Sequence, residues 1–156
     1  MALALIDANV PIYAAGRAHP LKGPCARVLQ LAAEMPGQFL TDAEVLQELL
    51  HYYLRRGLRS SGLQVVEGFA QLMEGRVEPV SGEDVLAACL LAREGPAGVP
   101  ARDFLHLAIA RRAGASFIIS ADTDFDRLGG IERLDPAALE ERRHLIAGPR
   151  AREGEV

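Results

Sequence analysis

Lysine is nearly missing from this 156-residue chain: Lys22 is the single lysine among 17 basic residues, and the rest are arginine. Arginine favours bidentate contacts with phosphate and carboxylate, but genome composition produces the same skew, and the bias is read here as compositional. Cysteine is scarce too. Cys25 and Cys89 stand far apart without a CxxC context, which excludes a disulfide framework and leaves two free thiols in a reducing compartment. No apolar run reaches the ~18 residues a membrane span needs, and Met1 to Ile6 is too short, and lacks the basic start, for a signal peptide. The protein is expected to be soluble and cytoplasmic, with no membrane partner. Positive charge is not in excess: the net charge is −4, which argues against gripping nucleic acid by bulk charge. It leaves open a protein that meets phosphate through a cation held by acidic residues. Neither a GxGxxG nor a P-loop glycine pattern is present, so a nucleotide-cofactor site is excluded where one would be looked for.

What is present is a globular core. Apolar residues make up 49% of the chain, enough for one folded domain without staples. Five short apolar runs (Ala2–Ile6, Gln38–Leu40, Val77–Val80, Ser116–Ile119 and Ile131–Leu134) alternate with segments of helical period. Those segments are Leu21–Met35, Ala43–Arg56, Gly62–Glu74, Glu83–Arg93 and Ala101–Ala113, most of them ending at a Gly or Pro-Gly stop. The runs ALALI and SFII have no polar alternation, as central strands covered on both faces require. Alternating strands and helices predict an α/β domain, a mostly parallel sheet of about five strands in an α/β/α sandwich. It is expected over residues 1–145, with a polar, frayed tail over 146–156.

In such sheets the site lies beyond the carboxyl ends of the strands, where strand order reverses. Asp7 directly follows the first run, and Asp122 follows the fourth after Ser120 and Ala121. Asp7 is either a metal ligand or the cap of a helix beginning near Ala8. Around Thr41, the S/T-x-x-E spacing to Glu44 predicts a capping box, with Val45, Leu46, Leu49, Leu50 and Tyr53 as the buried stripe of the helix. Glu44 then points away from the core, while Glu48 sits at the margin of the stripe, where a carboxylate can turn into a cleft. Asp103 opens a helix, Arg102 to Ala110, that is apolar nearly all round and therefore buried; an ionised carboxylate there needs a partner, and a cation would be one. His106, one turn on, is read as a satisfied core or surface histidine rather than a ligand. Of the triplet Asp122, Asp124 and Asp126, Asp122 is the first candidate, Asp124 an outer-shell or additional ligand, and Asp126 a solvent-facing acid. A calcium loop counted from Asp122 fails, because Arg127 and Arg133 stand where Gly and Glu are required.

Carboxylates converging without a His or Cys cluster select Mg²⁺ or Mn²⁺ over Zn²⁺, and such sites suit phosphoryl transfer. In their order and spacing, four segments resemble the acidic signatures of PIN-domain ribonucleases. These are Leu5-Ile6-Asp7-Ala8-Asn9-Val10, Val45-Leu46-Gln47-Glu48-Leu49, Asp103-Phe104-Leu105-His106-Leu107-Ala108-Ile109-Ala110 and Ile118-Ile119-Ser120-Ala121-Asp122-Thr123-Asp124-Phe125-Asp126. More narrowly, they resemble the single-domain VapC-type toxins of prokaryotic toxin–antitoxin pairs, over Leu3 to about Leu134. The resemblance implies a homodimer, an antitoxin partner, and Mg²⁺- or Mn²⁺-dependent cleavage of single-stranded or loop RNA to 5′-phosphate and 3′-hydroxyl ends. It assigns Asp7, Glu48, Asp103 and Asp122 as catalytic metal-binding acids, with Asn9, Ser120 and Asp124 in the supporting shell. The chain departs from an RNA-binding pattern in having no basic cluster; Arg55, Arg56 and Arg59 form the densest patch and are read as solvated charge.

Three other readings stand beside it. A phosphate-accepting receiver domain needs an acidic pair after the first strand and a lysine after the last, and the chain has neither. A housekeeping RNA-processing nuclease would use the same site. A non-catalytic module would instead offer an apolar groove to a partner helix, with Tyr52 and Tyr53 as candidate groove residues.

Overall fold

The five apolar runs become five strands in a computed structural model that describes residues 2–147. They are β1 (Leu3–Ile6), β2 (Phe39–Asp42), β3 (Val77–Glu78), β4 (Ala115–Ile119) and β5 (Glu132–Leu134). All pairings are parallel, in the order β3-β2-β1-β4-β5. Successive residues of a strand face opposite sides of the sheet, and Ala4, Leu5 and Ile6 in β1 and Phe117, Ile118 and Ile119 in β4 are all buried. The two central strands are therefore covered on both faces, as their unbroken apolar runs require.

The cover is helical: α1 (Asn9–Ala15), α2 (Lys22–Glu34), α3 (Ala43–Arg55), α4 (Arg59–Leu72), α5 (Gly82–Glu94), α6 (Ala101–Ala113), α7 (Leu139–Arg142) and α8 (His144–Ala147). They pack as pairs, α1 on α2, α3 on α4 and α5 on α6, and α6 lies against β4. As its all-round apolar surface requires, α6 is enclosed along its middle, where Phe104, Leu107, Ala108, Ile109 and Ala110 are all buried. Gly114, in the left-handed region at φ 77°, ends α6 and turns the chain into β4. Beyond the expected elements, α7 and α8 follow β5, and Ile146, placed in the expected frayed tail, is buried against the core in α8. Residues 148–156 of the expected tail lie outside the described residues. None of the described helices is long and apolar enough to cross a membrane.

The start of α3 differs from the expected capping box. Asp42, not Thr41, is the cap: its Oδ1 accepts the Val45 N–H at 2.8 Å. Thr41 is still part of β2, and its hydroxyl donates to the Ile6 carbonyl at 2.9 Å, tying β2 to β1. The buried stripe of α3 is also narrower than the helical wheel suggested, since Leu50 is 38% exposed. A capping box does start α5, where Ser81 and Asp84 satisfy each other's backbone N–H groups. Buried Asp84 also accepts from Arg112 Nε at 2.7 Å, pinning α5 to α6.

The α3–α4 hairpin depends on a bare backbone at Gly62. A Cβ there would overlap the Cβ and ring of Tyr53, which is buried on α3. Helix propensity alone favours alanine over glycine by about 1 kcal/mol, whereas overpacking a tight contact costs roughly 1–3 kcal/mol. Gly62→Ala is expected to destabilise the protein by about 1–2 kcal/mol in urea unfolding. A more stable variant would mean that the close approach of α4 to Tyr53 is not a constraint on the fold.

Candidate metal centre

Each of the four acids singled out in the sequence is delivered by a different element. Asp7 follows β1, whose ladder continues through the Asp7 N–H to the Ile119 carbonyl at 3.1 Å. Glu48 sits in the second turn of α3, Asp103 in the first turn of α6, and Asp122 just beyond the Ile119 end of β4. All four line one cleft of about 1010 Å³ at the carboxyl edge of the sheet. Glu44, expected to point to solvent, lines the same cleft. Burial, followed by the neighbouring Glu48 charge, raises the pKa of its carboxyl group.

The Asp7 carboxylate is fixed on three sides. Its Oδ1 accepts the Ala8 N–H at 2.7 Å, and its Oδ2 accepts the Ser120 hydroxyl at 2.7 Å and Asn9 Nδ2 at 3.2 Å. Asp7 thus meets α1 from just outside it, while Ala8 holds the cap position without a side-chain bond. Asn9 also donates to Ser120 Oγ at 2.8 Å, and its Oδ1 accepts the Ala121 N–H at 3.1 Å. The Ser120 oxygen in turn accepts the Asp122 N–H at 3.0 Å, and Asp122 Oδ1 accepts the Asp124 N–H at 2.9 Å. One polar chain therefore joins the end of β1 to the turn after β4. Asp126 is exposed and pairs with Arg133, in keeping with a solvent-facing acid.

On the opposite side stands His106, which is completely buried on α6. Its Nδ1 lies 2.6 Å from Asp42 Oδ2 and its Nε2 2.9 Å from Glu48 Oε1, with Asp7 Oδ1 at 3.9 Å. Burial alone would lower the imidazole pKa; the hydrogen bonds to Asp42 and Glu48 outweigh it and raise the pKa well above the usual histidine range. His106 is thus a satisfied histidine, as expected, but its partners were not foreseen: Asp42 lies 64 residues away and carries no sequence signal beyond a helix start.

Asp103 is the exception in this well-bonded group. It is 2% exposed, and among the described residues its Oδ2 is the one buried side-chain N or O atom with no hydrogen-bond partner. Burial first, then the charges of Asp122 and Asp7, push its pKa up to about 7. An orphaned carboxylate oxygen among further carboxylates is what a hard divalent cation would satisfy. Ligand atoms of Asp103, Asp122 and Asp124 lie within 4.8 Å of one another, and those of Asp7, Glu48 and His106 do likewise. The donor set fits a cation.

The rim of the cleft is basic and aromatic. Arg55, Arg56, Arg102, His51 and Tyr52 line it, and the Arg56 guanidinium stacks 3.6 Å from the Tyr52 ring centroid. Arg55 and Arg56, read from the sequence as solvated charge, are thus lining residues. Tyr53 is buried in the core, while Tyr52 lines the cleft beside Arg56.

Residues 4–131 match the family model described as the PIN domain. Ribonuclease VapC23 of Mycobacterium tuberculosis is 38% identical over 120 residues, which span 75% of this chain and 90% of that protein. Ribonuclease VapC13 of the same species is 33% identical over 132 residues, covering 83% and 98%. Among solved structures, M. tuberculosis VapC20, described as a sarcin-ricin loop cleaving toxin, superposes with a TM-score of 0.66 at 21% identity, covering 83% of this chain and 97% of that one. The DNA-bound VapBC of Salmonella typhimurium gives 0.66 at 20% identity, covering 87% and 99%. At these identities the structural likeness speaks for the fold.

The pKa of Asp103 gives a signed test. In the metal-free fold it holds its proton up to about pH 7, against an ordinary value of 3.8. Between those values the folded state binds more protons than the unfolded one, so stability falls as pH rises. Asp103→Asn removes the charge and is expected to raise the Tm in EDTA at pH 8, with the gain shrinking toward pH 4. Thermal unfolding across that range measures it; a variant less stable than wild type at pH 8 would contradict the unpartnered carboxylate.

Proposed function

The chain belongs to the PIN domain family, and from that membership and its acidic cleft we propose that it is a metal-dependent endoribonuclease, the toxin of a toxin–antitoxin pair. One observation carries the reading: carboxylates from four separate elements line a single cleft, and one of them has a buried oxygen without a partner. The ribonuclease names of the relatives support the substrate class.

Asp7, Asp103 and Asp122 would hold Mg²⁺ or Mn²⁺, with Glu48 completing the set or accepting a hydrogen bond from the attacking water. When bound, such an ion supplies Lewis acidity toward the phosphodiester and its nucleophile. The chain's own contribution is preorganisation. Ser120 and Asn9 fix the Asp7 carboxylate, and the Asp122–Asp124 turn presents two further acids toward Asp103. Arg55, Arg56 and Arg102 on the rim bind backbone phosphates on either side of the scissile bond, contacts that position RNA without reading its sequence. Water adds to phosphorus in line as the P–O3′ bond breaks, leaving a 3′-hydroxyl on one fragment and a 5′-phosphate on the other.

An antitoxin protein and a second copy of the chain complete the set of partners. The VapBC toxin–antitoxin structures among the neighbours support the first. Exposed leucines beyond the needs of the core, Leu54 and Leu58 around the end of α3 and Leu86 and Leu90 on α5, offer apolar surface for such contacts.

Asp7→Asn is expected to lower RNA cleavage by roughly 10²-fold or more, the scale of removing one preorganised electrostatic group, while the Tm stays near that of wild type. EDTA should abolish wild-type cleavage and Mn²⁺ restore it. Wild-type rates from Asp7→Asn, or full activity in chelator, would end the nuclease reading. Growth arrest on expression, absent with Asp7→Asn, tests the toxin role.

Arg55→Ala with Arg56→Ala should weaken RNA binding uniformly across sequences. It should also flatten the dependence of log affinity on log salt by about 0.7 for each phosphate no longer neutralised. An unchanged slope would place the RNA path elsewhere.

A further inference from the structure

We propose that Asp42 and His106 form a buried positioning relay that holds the Glu48 carboxylate in the cleft and thereby sets the affinity of the site for its metal ion. The proposal rests on the metal reading above and deepens it. Glu48 is carried on a helix, by a side chain with three rotatable bonds, whereas Asp7 and Asp122 are short side chains locked by backbone N–H groups close in sequence. Arg102 also faces Glu48, but its Nε lies 3.6 Å away on a side chain that is more than half exposed, an arrangement that restrains little. The shorter, part-buried contact at 2.9 Å to the fully buried His106 Nε2 is therefore what orders Glu48.

The imidazole is itself held. Its Nδ1 is 2.6 Å from Asp42 Oδ2, and Asp42 is fully buried at the end of β2. The other Asp42 oxygen caps α3, the helix that carries Glu48 six residues on. The constraints close into a ring: Asp42 fixes where α3 begins, α3 brings Glu48 to the cleft, His106 fixes the Glu48 carboxylate, and Asp42 fixes His106. His106 follows Asp103 by three residues, so both lie on one face of α6, and the anchored imidazole stands at the cleft that Asp103 also lines. Partners that orient a metal-binding carboxylate through a hydrogen bond typically carry about 10–100-fold of metal affinity.

A simple staple between α3 and α6 would use the same contacts, and it is separated from the relay by measuring metal rather than cleavage. Mn²⁺ is titrated into the full chain without RNA, with free Mn²⁺ read by electron paramagnetic resonance. Asp42→Asn retains a side chain that caps helices as well as aspartate does, so α3 should start normally, and circular dichroism and Tm verify the fold. Asp42→Asn and His106→Gln are each expected to weaken Mn²⁺ binding roughly tenfold. In a Glu48→Gln background neither should weaken it further, since the relay acts only through Glu48. Wild-type Mn²⁺ affinity in both folded variants overturns the relay while leaving the metal site standing, as does an undiminished effect in the Glu48→Gln background. A directly bound imidazole nitrogen in the pulsed-resonance spectrum of the Mn²⁺ protein overturns it too, by making His106 a ligand. No Mn²⁺ binding by the wild-type chain overturns the metal reading itself, and the relay with it.

Discussion

Like charge gathered in a place of low dielectric is the constraint on which this molecule turns. Carboxylates of Asp7, Glu48, Asp103 and Asp122 share one cleft, and Asp7 and Asp103 are almost removed from water. Such groups repel one another and resist ionisation unless each finds compensation. The chain eases one flank with neutral donors, through Ser120, Asn9 and the Ala8 N–H, and the other with the imidazole of His106, though burial still holds the Asp7 pKa above its ordinary value. Asp103 receives no hydrogen bond at its Oδ2 from either system. Its unpartnered oxygen and raised pKa are what remains of a balance that the protein's own groups leave incomplete, and it is this incompleteness, more than the number of acids, that marks a place for a cation.

The sheet explains why these groups can meet at all. In the order β3-β2-β1-β4-β5 the chain winds outward from β1 in both directions, so the crevice beyond the carboxyl ends opens between β1 and β4. Asp7 and Asp122 come from the two sides of that crevice, and their separation is set by backbone pairing such as Ile6 opposite Ile119. Glu48 and Asp103 come from helix turns at the same edge, on the helix that leaves β2 and the helix that leads into β4. Strand-borne acids inherit the rigidity of the ladder. The helix-borne Glu48 lacks that ladder and is tethered instead through His106 and Asp42.

Strand positions, helix stops and the meeting of four acids at one edge of the sheet were legible in the sequence because each rests on a local signal. An unbroken apolar run marks a buried strand, a Gly or Pro ends a helix, and an acid beside apolar surface needs a partner. Asp42 and Thr41 show where local signals mislead. Both are good caps, and the motif spacing favours Thr41, but β2 extends beyond its apolar run, and the bond to β1 engages Thr41 first. The His106–Asp42 contact was invisible for a different reason: it joins residues 64 apart, and a histidine in an apolar helix looks the same whether it is bonded to a backbone group or to two acids. Leu50 and Glu44 failed at the level of the helical wheel, which gives the direction of a side chain but not whether another element lies there.

Charge also bears on how a polyanion could approach a chain with net charge −4. Long-range attraction is not available, and a Debye length of about 8 Å at physiological salt would confine any field in any case. Recognition must then be local, through the rim arginines and through whatever cation the acids hold. In the free chain some arginines already face site acids: Arg102 lies 3.6 Å from Glu48, and Arg127 lies 3.8 Å from Asp124. Both pairs are loose and partly solvent-exposed, a class worth about 0–1 kcal/mol each. Pairs this weak offer little resistance to exchange for phosphate or a cation. An acidic protein can thus handle an acidic substrate because the opposing charges are nested, with carboxylates at the floor and guanidinium groups at the edge.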